Sequence, residues 1–461
     1  MLKVKGFQTI KIGYVPIRKF VFSIKDAIYY KKLIEKKLVE LKINFVNIDK
    51  ITDDGLLYKN EDVNKVVNFL KKEKVDAIFC PHCNFGTEDV AGILGKKMDV
   101  PYLLWGPRDE APLKDGTRLR DTQCGLFATS KILNRLNVPF TYIPNCRVDD
   151  KMFENGIKDF IRTVGVVKAF KNLKIGQIGQ RVDFFWSVMI NEAELLEKFG
   201  IQIVPISIID IINEIKKRET SNNIKKEAKF LKEKVNFKMS DRLINRIAAL
   251  KITLLELVKK HSLTSIAIKC FPEFQTELGI MVCFANAELM NLGIPVSCET
   301  DIHGAITLSI LNGASLNETP SFLGDLTIRH PENDNAELLW HCGPFPLSLA
   351  DTKVCKPYIG KHFIFPTTGS CHWKIKGGNI TISRFDGLNG NYSLAIGEAK
   401  GVEGPYTRGT YLWFEVNDWI KWEKKFIYGP YIHHVGCVHG SYSNILNEAC
   451  KYITNLLPDP I

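Results

Sequence analysis

Short apolar runs alternate with amphipathic stretches through the first third of the chain. Ile10 to Val15 reads as a strand, Asp26 to Leu41 as a helix, Asn44 to Ile48 as a strand and Val63 to Lys72 as a helix; Ala77 to Cys80, a helix over Glu88 to Lys97, and Tyr102 to Trp105 follow. That rhythm predicts a parallel sheet with crossover helices. A second round begins near Leu173. Lys174 to Gly179 reads as a strand entering a Gly turn, Glu192 to Phe199 as a helix and Ile201 to Ile206 as a strand. A long charged helical region follows from about Ile208 to His261, then a strand over Ser265 to Lys269, a helix over Leu278 to Asn291 and a strand over Pro295 to Cys298. After about residue 320 the pattern changes. Phe363 to Phe365, Asn379 to Ser383, Tyr392 to Gly397 and Thr410 to Val416 read as short strands between Gly, Pro and Asn turns, and only Ser443 to Leu456 reads as helical near the end. The predicted class is α/β: two Rossmann-like doubly wound parallel-sheet domains, residues 1–165 and 166–318, followed by a C-terminal antiparallel β-barrel domain, residues 319–461.

Composition agrees with several globular domains: 461 residues are too many for one core, and 45% are apolar. The net charge of +11 comes largely from lysine interspersed with glutamate, as in Lys31 to Lys37 and Lys216 to Lys234. This is the composition of solvated helix faces, and no aromatic run interleaves with arginine, so a nucleic-acid partner is not expected. The twelve cysteines include several inside apolar runs, such as Cys80, Cys283 and Cys298, which favours reduced thiols over a disulfide framework. The opening Met1 to Gly6 has no apolar core of leader length, and no window has the ~20 apolar residues of a membrane span. A cytoplasmic protein with no membrane partner is expected.

The chemistry concentrates in three places. Pro295-Val296-Ser297-Cys298-Glu299-Thr300-Asp301-Ile302-His303-Gly304 puts carboxylates at the end of an apolar strand, where wound α/β sheets gather their ligands. A helix N-cap role for Glu299, Thr300 or Asp301 is the plain structural alternative. Asp325 lies in Phe322-Leu323-Gly324-Asp325-Leu326, where an unpaired carboxylate would be costly without a cation or hydrogen-bond donors. His433, His434 and His439 fall within seven residues of a strand-like stretch. Two carboxylates and an imidazole make an oxygen-dominated set that suits Mn²⁺ or Mg²⁺ better than structural zinc. Weaker signals are Cys80-Pro81-His82-Cys83, which lacks a second cysteine pair, and Lys174 to Gly179, which lacks a full phosphate-loop pattern. Arg108, Arg118 and Arg120 follow Trp105; they either clamp a hydroxyl-rich or anionic ligand or pair with Asp109 and Asp121.

Several of these segments resemble the L-fucose isomerase and L-arabinose isomerase superfamily, over most of the chain. Ile12-Gly13-Tyr14-Val15-Pro16-Ile17-Arg18 looks like its opening strand and arginine loop, and Asn84-Phe85-Gly86-Thr87-Glu88 like its next loop. Cys298 to Asp301 and Gly324-Asp325-Leu326 are similar to its two metal-binding acid segments, and His433 to His439 to its paired-histidine segment. The resemblance implies that Glu299, Asp325 and His434 hold Mn²⁺, with Mg²⁺ or Co²⁺ as substitutes, and that Glu299 and Asp325 shuttle protons. It further implies a supporting metal ligand in His341 and substrate contacts from Arg18, Asn84, Trp105 and His433. By the same resemblance, an aspartate rather than a glutamate at position 325 favours the fucose side.

The implied activity is aldose–ketose isomerisation of a free monosaccharide of the L-fucose, D-arabinose or L-arabinose type, through a cis-enediol(ate). The implied assembly is a homo-oligomer, a hexamer by the resemblance, whose sites are shared between subunits. The competing expectations are a non-catalytic sugar-binding protein and a metal-dependent sugar epimerase or lyase.

Overall fold

The computed structural model describes residues 10–461. They form two compact units that part at Lys168 and Ala169, inside the helix Lys151–Lys171.

The N-terminal unit is built on a five-stranded parallel sheet: β1 (Ile12–Tyr14), β2 (Phe45–Val46), β3 (Ala77–Pro81), β4 (Tyr102–Trp105) and β5 (Thr141–Tyr142), in the order β2-β1-β3-β4-β5. Helices cover a sheet whose central strands β3 and β4 are buried throughout. The helix Asn60–Lys72 turns Val63, Val66, Val67 and Leu70 inward, a spacing of three and four that keeps them on one face.

The second unit opens with another parallel sheet. Its strands are β6 (Lys174–Ile178), β7 (Gln202–Ile206), β9 (Ser265–Ile268) and β10 (Val296–Ser297), in the order β10-β9-β6-β7; β8 (Asn236–Phe237) lies elsewhere. Six later strands close on themselves: β11 (Phe322–Arg329), β12 (Ala336–His341), β15 (Asn379–Leu388), β16 (Asn391–Val402), β17 (Thr410–Glu415) and β18 (His434–His439). The ring runs β16-β15-β18-β11-β12-β17 and back to β16, antiparallel at every step. The remaining strands, β13 (Tyr358–Lys361), β14 (Thr368–Lys374) and β8, extend outward from β17, while β19 (Leu456–Pro460) runs parallel to β16. The fold class expected from the pattern, wound parallel sheets followed by an antiparallel barrel, is the one observed.

One apolar core joins the second sheet to the barrel, passing through the helices Asp241–His261, Cys283–Asn291 and Ile302–Ser315. Every residue of Ile302–Ser315 is buried. A helix without a polar face must be enclosed on all sides, and this one passes between sheet and barrel.

Local boundaries depart from expectation in four places. The charged region Ile208 to His261 is three helices, Ile208–Arg218, Asn222–Lys234 and Asp241–His261, with Ser221 capping the second through the amide of Ile224. The helix expected over Leu278 to Asn291 begins only at Cys283, because a separate helix, Glu273–Leu278, ends at Gly279 in the left-handed region. Phe363 to Phe365 is a bend between β13 and β14. Near the end, Trp419–Tyr428 is a second helix capped by Asp418, while Ser443–Cys450 stops before Leu456, which begins β19. All twelve cysteines are unpaired. Among the described residues no helix is long and apolar enough to cross a membrane.

Candidate active site

The short strand β10 ends at Ser297, and the chain reaches the buried helix through Glu299 and Thr300, at φ 60° and 57°. Two consecutive left-handed residues with side chains, one of them β-branched, cost of order 1 kcal/mol or more each and persist only where the surroundings hold them. Here the amide of Thr300 donates to the Ile268 carbonyl at 3.1 Å, its hydroxyl to the Gln180 carbonyl at 3.1 Å, and the Asp301 amide to Cys298 at 3.1 Å. Glu299 is thereby fixed past the carboxyl ends of β6, β9 and β10. Asp301 caps the helix, its Oδ1 accepting from the Gly304 amide at 2.9 Å.

The barrel supplies the rest. Antiparallel register sets Asp325 on β11 directly opposite His434 on β18. His434 is 1% exposed; its Nδ1 lies 3.0 Å from Asp301 Oδ2, and its Nε2 lies 3.0 Å from Glu299 Oε2 and 3.7 Å from Asp325 Oδ1. His433, exposed beside it, brings a ring nitrogen into the same cluster: ligand atoms of Asp325, His433 and His434 lie within 4.8 Å of one another.

Electrostatics follow from this crowding. Burial opposes a charge on His434, but the hydrogen bond to Asp301 and the nearby carboxylates of Glu299 and Asp325 outweigh it and push its pKa up to about 10. Burial likewise works against ionised Glu299 and Asp301. His434 nevertheless holds Glu299 below its ordinary value, and Arg384 with His434 holds Asp301 well below the usual carboxylate range. Arg384, fully buried on β15, grips both Asp301 oxygens and places its Nε 2.9 Å from Asp386, whose other oxygen meets His303 Nδ1 at 2.9 Å.

Asp325 Oδ1 and His434 Nε2 are buried without a hydrogen-bond partner. Two carboxylates desolvated around one imidazole nitrogen are unfavourable unless a cation, proton or metal ion, sits between them. The donor set therefore fits a divalent ion, and its oxygen-rich chemistry fits Mn²⁺ or Mg²⁺. His341 ends β12, 1% exposed; its Nδ1 accepts the Cys342 amide at 2.9 Å and its Nε2 has no partner. Burial opposes a charge on it, while Asp325, then Cys342 and Glu299, favour one. Aromatic rings wall the cluster: Phe185 stands edge-on to His434 with ring centres 6.3 Å apart, and Trp340 lies parallel to His341 at 6.4 Å.

The other expected substrate contacts belong to the N-terminal unit. Arg18 is 4% exposed, stacked on Tyr58 and paired with Asp54 at 2.8 Å, with Nη1 buried and unpartnered. Asn84 spends its amide on backbone groups of Lys19, Ser23 and Gly86. Trp105 is fully buried against Phe153. Of the neighbouring arginines, Arg118 pairs with Asp121, and Arg120 with Asp26, Asp109 and Glu110, the second of the two expectations for them.

A family model described as the fucose/sulfoquinovose isomerase N-terminal domain matches residues 13–171, nearly the whole N-terminal unit. Beyond it, a sulfoquinovose isomerase from Priestia aryabhattai is 26% identical over 403 residues, 87% of this chain and 88% of that protein. Two more proteins of that name match, from Alkalicoccus urumqiensis at 25% over 72% of this chain and 73% of its own, and from Clostridium sp. (strain MSTE9) at 24% over 74% of each. These matches support a fucose isomerase-like family for the chain. The sequence reading missed Arg384 and Phe185 and took Asp301 only as a cap. A signal for Asp301 existed, because an N-cap preceding an all-apolar helix is buried and its second oxygen must find a donor.

Proposed function

We propose that this protein is a divalent-metal-dependent aldose–ketose isomerase, with Mn²⁺ the preferred ion and sulfoquinovose, the sugar in its relatives' names, the preferred substrate. Neutral aldoses of the L-fucose, D-arabinose and L-arabinose type rank next. That it is a sugar isomerase rests on relatives that match most of its length. The metal reading rests on one observation: the carboxylates of Glu299 and Asp325 both approach His434 Nε2, at 3.0 and 3.7 Å, and neither that nitrogen nor Asp325 Oδ1 has a hydrogen-bond partner.

Glu299, Asp325 and His434 are the proposed ligands. A bound divalent cation supplies Lewis acidity, polarising the substrate oxygens and stabilising negative charge as it develops. Glu299 and Asp325 are the proposed proton-transfer pair. One takes the carbon-bound proton and returns it to the adjacent carbon, leaving a cis-enediol(ate) in between, while the other moves the proton between the two oxygens. Phe185 and Trp340 give the sugar apolar surfaces and help exclude water. Among the N-terminal residues, Arg18 has the strongest support as a substrate contact, because one guanidinium nitrogen is buried and free to meet an anion or hydroxyl. A homo-oligomer, six copies by the family resemblance, is proposed with it.

The test is ketose formation followed by NMR, with protein stripped by chelator and with protein reloaded with Mn²⁺, on sulfoquinovose, L-fucose, D-arabinose and L-arabinose. Product from sulfoquinovose only after reloading is expected. Product that survives chelation removes the metal from the reading; product from another sugar alone removes sulfoquinovose; none from any of the four removes the substrate class.

A further inference from the structure

The two buried histidines of the site are held by opposite kinds of neighbour. A neutral imidazole carries one ring hydrogen, so the nitrogen facing an obligatory acceptor must be N–H and the nitrogen facing an obligatory donor must be the lone pair. His434 Nδ1 faces Asp301 Oδ2 at 3.0 Å. That carboxylate already accepts from both terminal nitrogens of Arg384 and from the Gly304 amide, and it offers nothing but lone pairs. One hydrogen therefore stays on Nδ1, and Nε2, which faces the carboxylates of Glu299 and Asp325, is the nitrogen at which a divalent ion would take the place of the second proton.

His341 is the reverse. The backbone amide of Cys342 donates into Nδ1 at 2.9 Å, and an amide hydrogen has no alternative location. The Cys342 sulfur lies 3.3 Å from the same nitrogen. The hydrogen of His341 therefore sits on Nε2, which is buried with no acceptor among the described residues. A nitrogen bearing hydrogen in the ring plane has no lone pair there for a metal, and a buried donor left unpaired is costly until an acceptor arrives.

We propose that these fixed contacts lock the two imidazoles in opposite tautomers, making His434 a ligand of the divalent ion and His341 a hydrogen-bond donor to an oxygen of the sugar, with Asp301 and Arg384 as positioning residues for the ligand. This rests on the metal reading above and departs from the expectation that His341 completes the metal shell. Trp340, the residue before His341, is in register with Asp325, which in turn is in register with His434, so His341 stands one position from the strand pair that carries the proposed ligands.

Calorimetric titration of chelator-stripped protein with Mn²⁺ and pulsed EPR of the Mn²⁺-loaded protein read the ligands without turnover. His434→Gln is expected to weaken Mn²⁺ at least tenfold and remove its imidazole ¹⁴N coupling, and Asp301→Asn to weaken it about 10- to 100-fold. His341→Gln is expected to bind Mn²⁺ within about threefold of the parent with that coupling intact, while kcat or KM worsens. A tenfold or greater loss of Mn²⁺ in His341→Gln, with loss of an imidazole coupling, overturns the proposal. So does a spectrum of the unmodified protein with a second imidazole from His341, which needs no variant to fold. Unmodified protein that takes up no Mn²⁺ overturns the metal reading itself, and this inference with it.

Discussion

Asp325 is where the conflict between stability and function is sharpest. Its carboxylate stands 3.7 Å from His434 Nε2, the nitrogen that Glu299 also approaches, with one oxygen buried and unpartnered. Replacing it with asparagine keeps the shape, removes a negative charge from a crowded anionic site and introduces a donor for the unpaired acceptors. Asp325→Asn should therefore melt, in chelator, at or above the temperature of the unmodified protein. It should also lose the stabilisation that Mn²⁺ brings, about 2.7 kcal/mol at a hundredfold excess over Kd, and should lose turnover by roughly 1,000-fold. Differential scanning fluorimetry with and without Mn²⁺ checks the pair of effects; a variant that still gains the full metal shift counts against Asp325 as a ligand. At this scale Glu299, Asp325 and His434 were legible because each is an ionisable group in an apolar run, where an isolated charge is unfavourable. Arg384 was not. It reaches Asp301 across 83 positions, and nothing local in Thr381-Ile382-Ser383-Arg384-Phe385 says that its guanidinium turns inward.

The elements bring these residues together through one close contact. On β18, two residues past His434, Gly436 lies so near the buried helix Ile302–Ser315 that an added Cβ would sit 2.6 Å from Thr307 Cγ2 and 3.1 Å from Leu311 Cδ1. Both neighbours are fully buried and have little room to retreat. Gly436→Ala should cost about 1 to 3 kcal/mol by overpacking. It should also lower kcat/KM tenfold or more, because the strand carrying His434 is pushed away from the helix whose cap, Asp301, orients it. Urea midpoints and initial rates measure the two; lost stability with undiminished rate would mean that the strand–helix contact does not set the geometry of His434. Legibility among the elements follows locality. The strands and helices of the first third were readable because each buries a face of its own periodicity, and β4 was read without error. β13 and β14 were missed because their neighbours β8 and β17 are distant in sequence, so pairing rather than composition makes them strands. The apolar Phe363-Ile364-Phe365 between them misled because Ile364 is 67% exposed.

For the molecule as a whole, the closed ring of six strands removes the free edges an open sheet would present, but it commits whatever the strands carry to its interior or its packed exterior. Glu337 is such a commitment. It sits on β12 in register with Arg329 and Phe414, is 4% exposed, and has one oxygen buried without a partner. Burial raises its pKa to about 7, against a smaller lowering by Arg329, and Glu423 adds to the rise. In the unfolded chain it titrates near the ordinary carboxylate value of about 4.3. Between these two values the folded protein binds the proton and the unfolded chain does not, so stability falls as pH rises through this window and the penalty is complete above about 7. The magnitude is about 1 to 3 kcal/mol for a group this buried. Glu337→Gln should therefore raise the denaturation midpoint at pH 8 and change it little at pH 4.5. It should leave catalysis intact, since Glu337 lies four positions before His341 on β12 and none of the contacts of Glu299, Asp325 or His434 involves it. Denaturant titrations of both proteins at the two pH values give the comparison, and equal midpoints at pH 8 would mean that the ionised carboxylate finds a partner on folding.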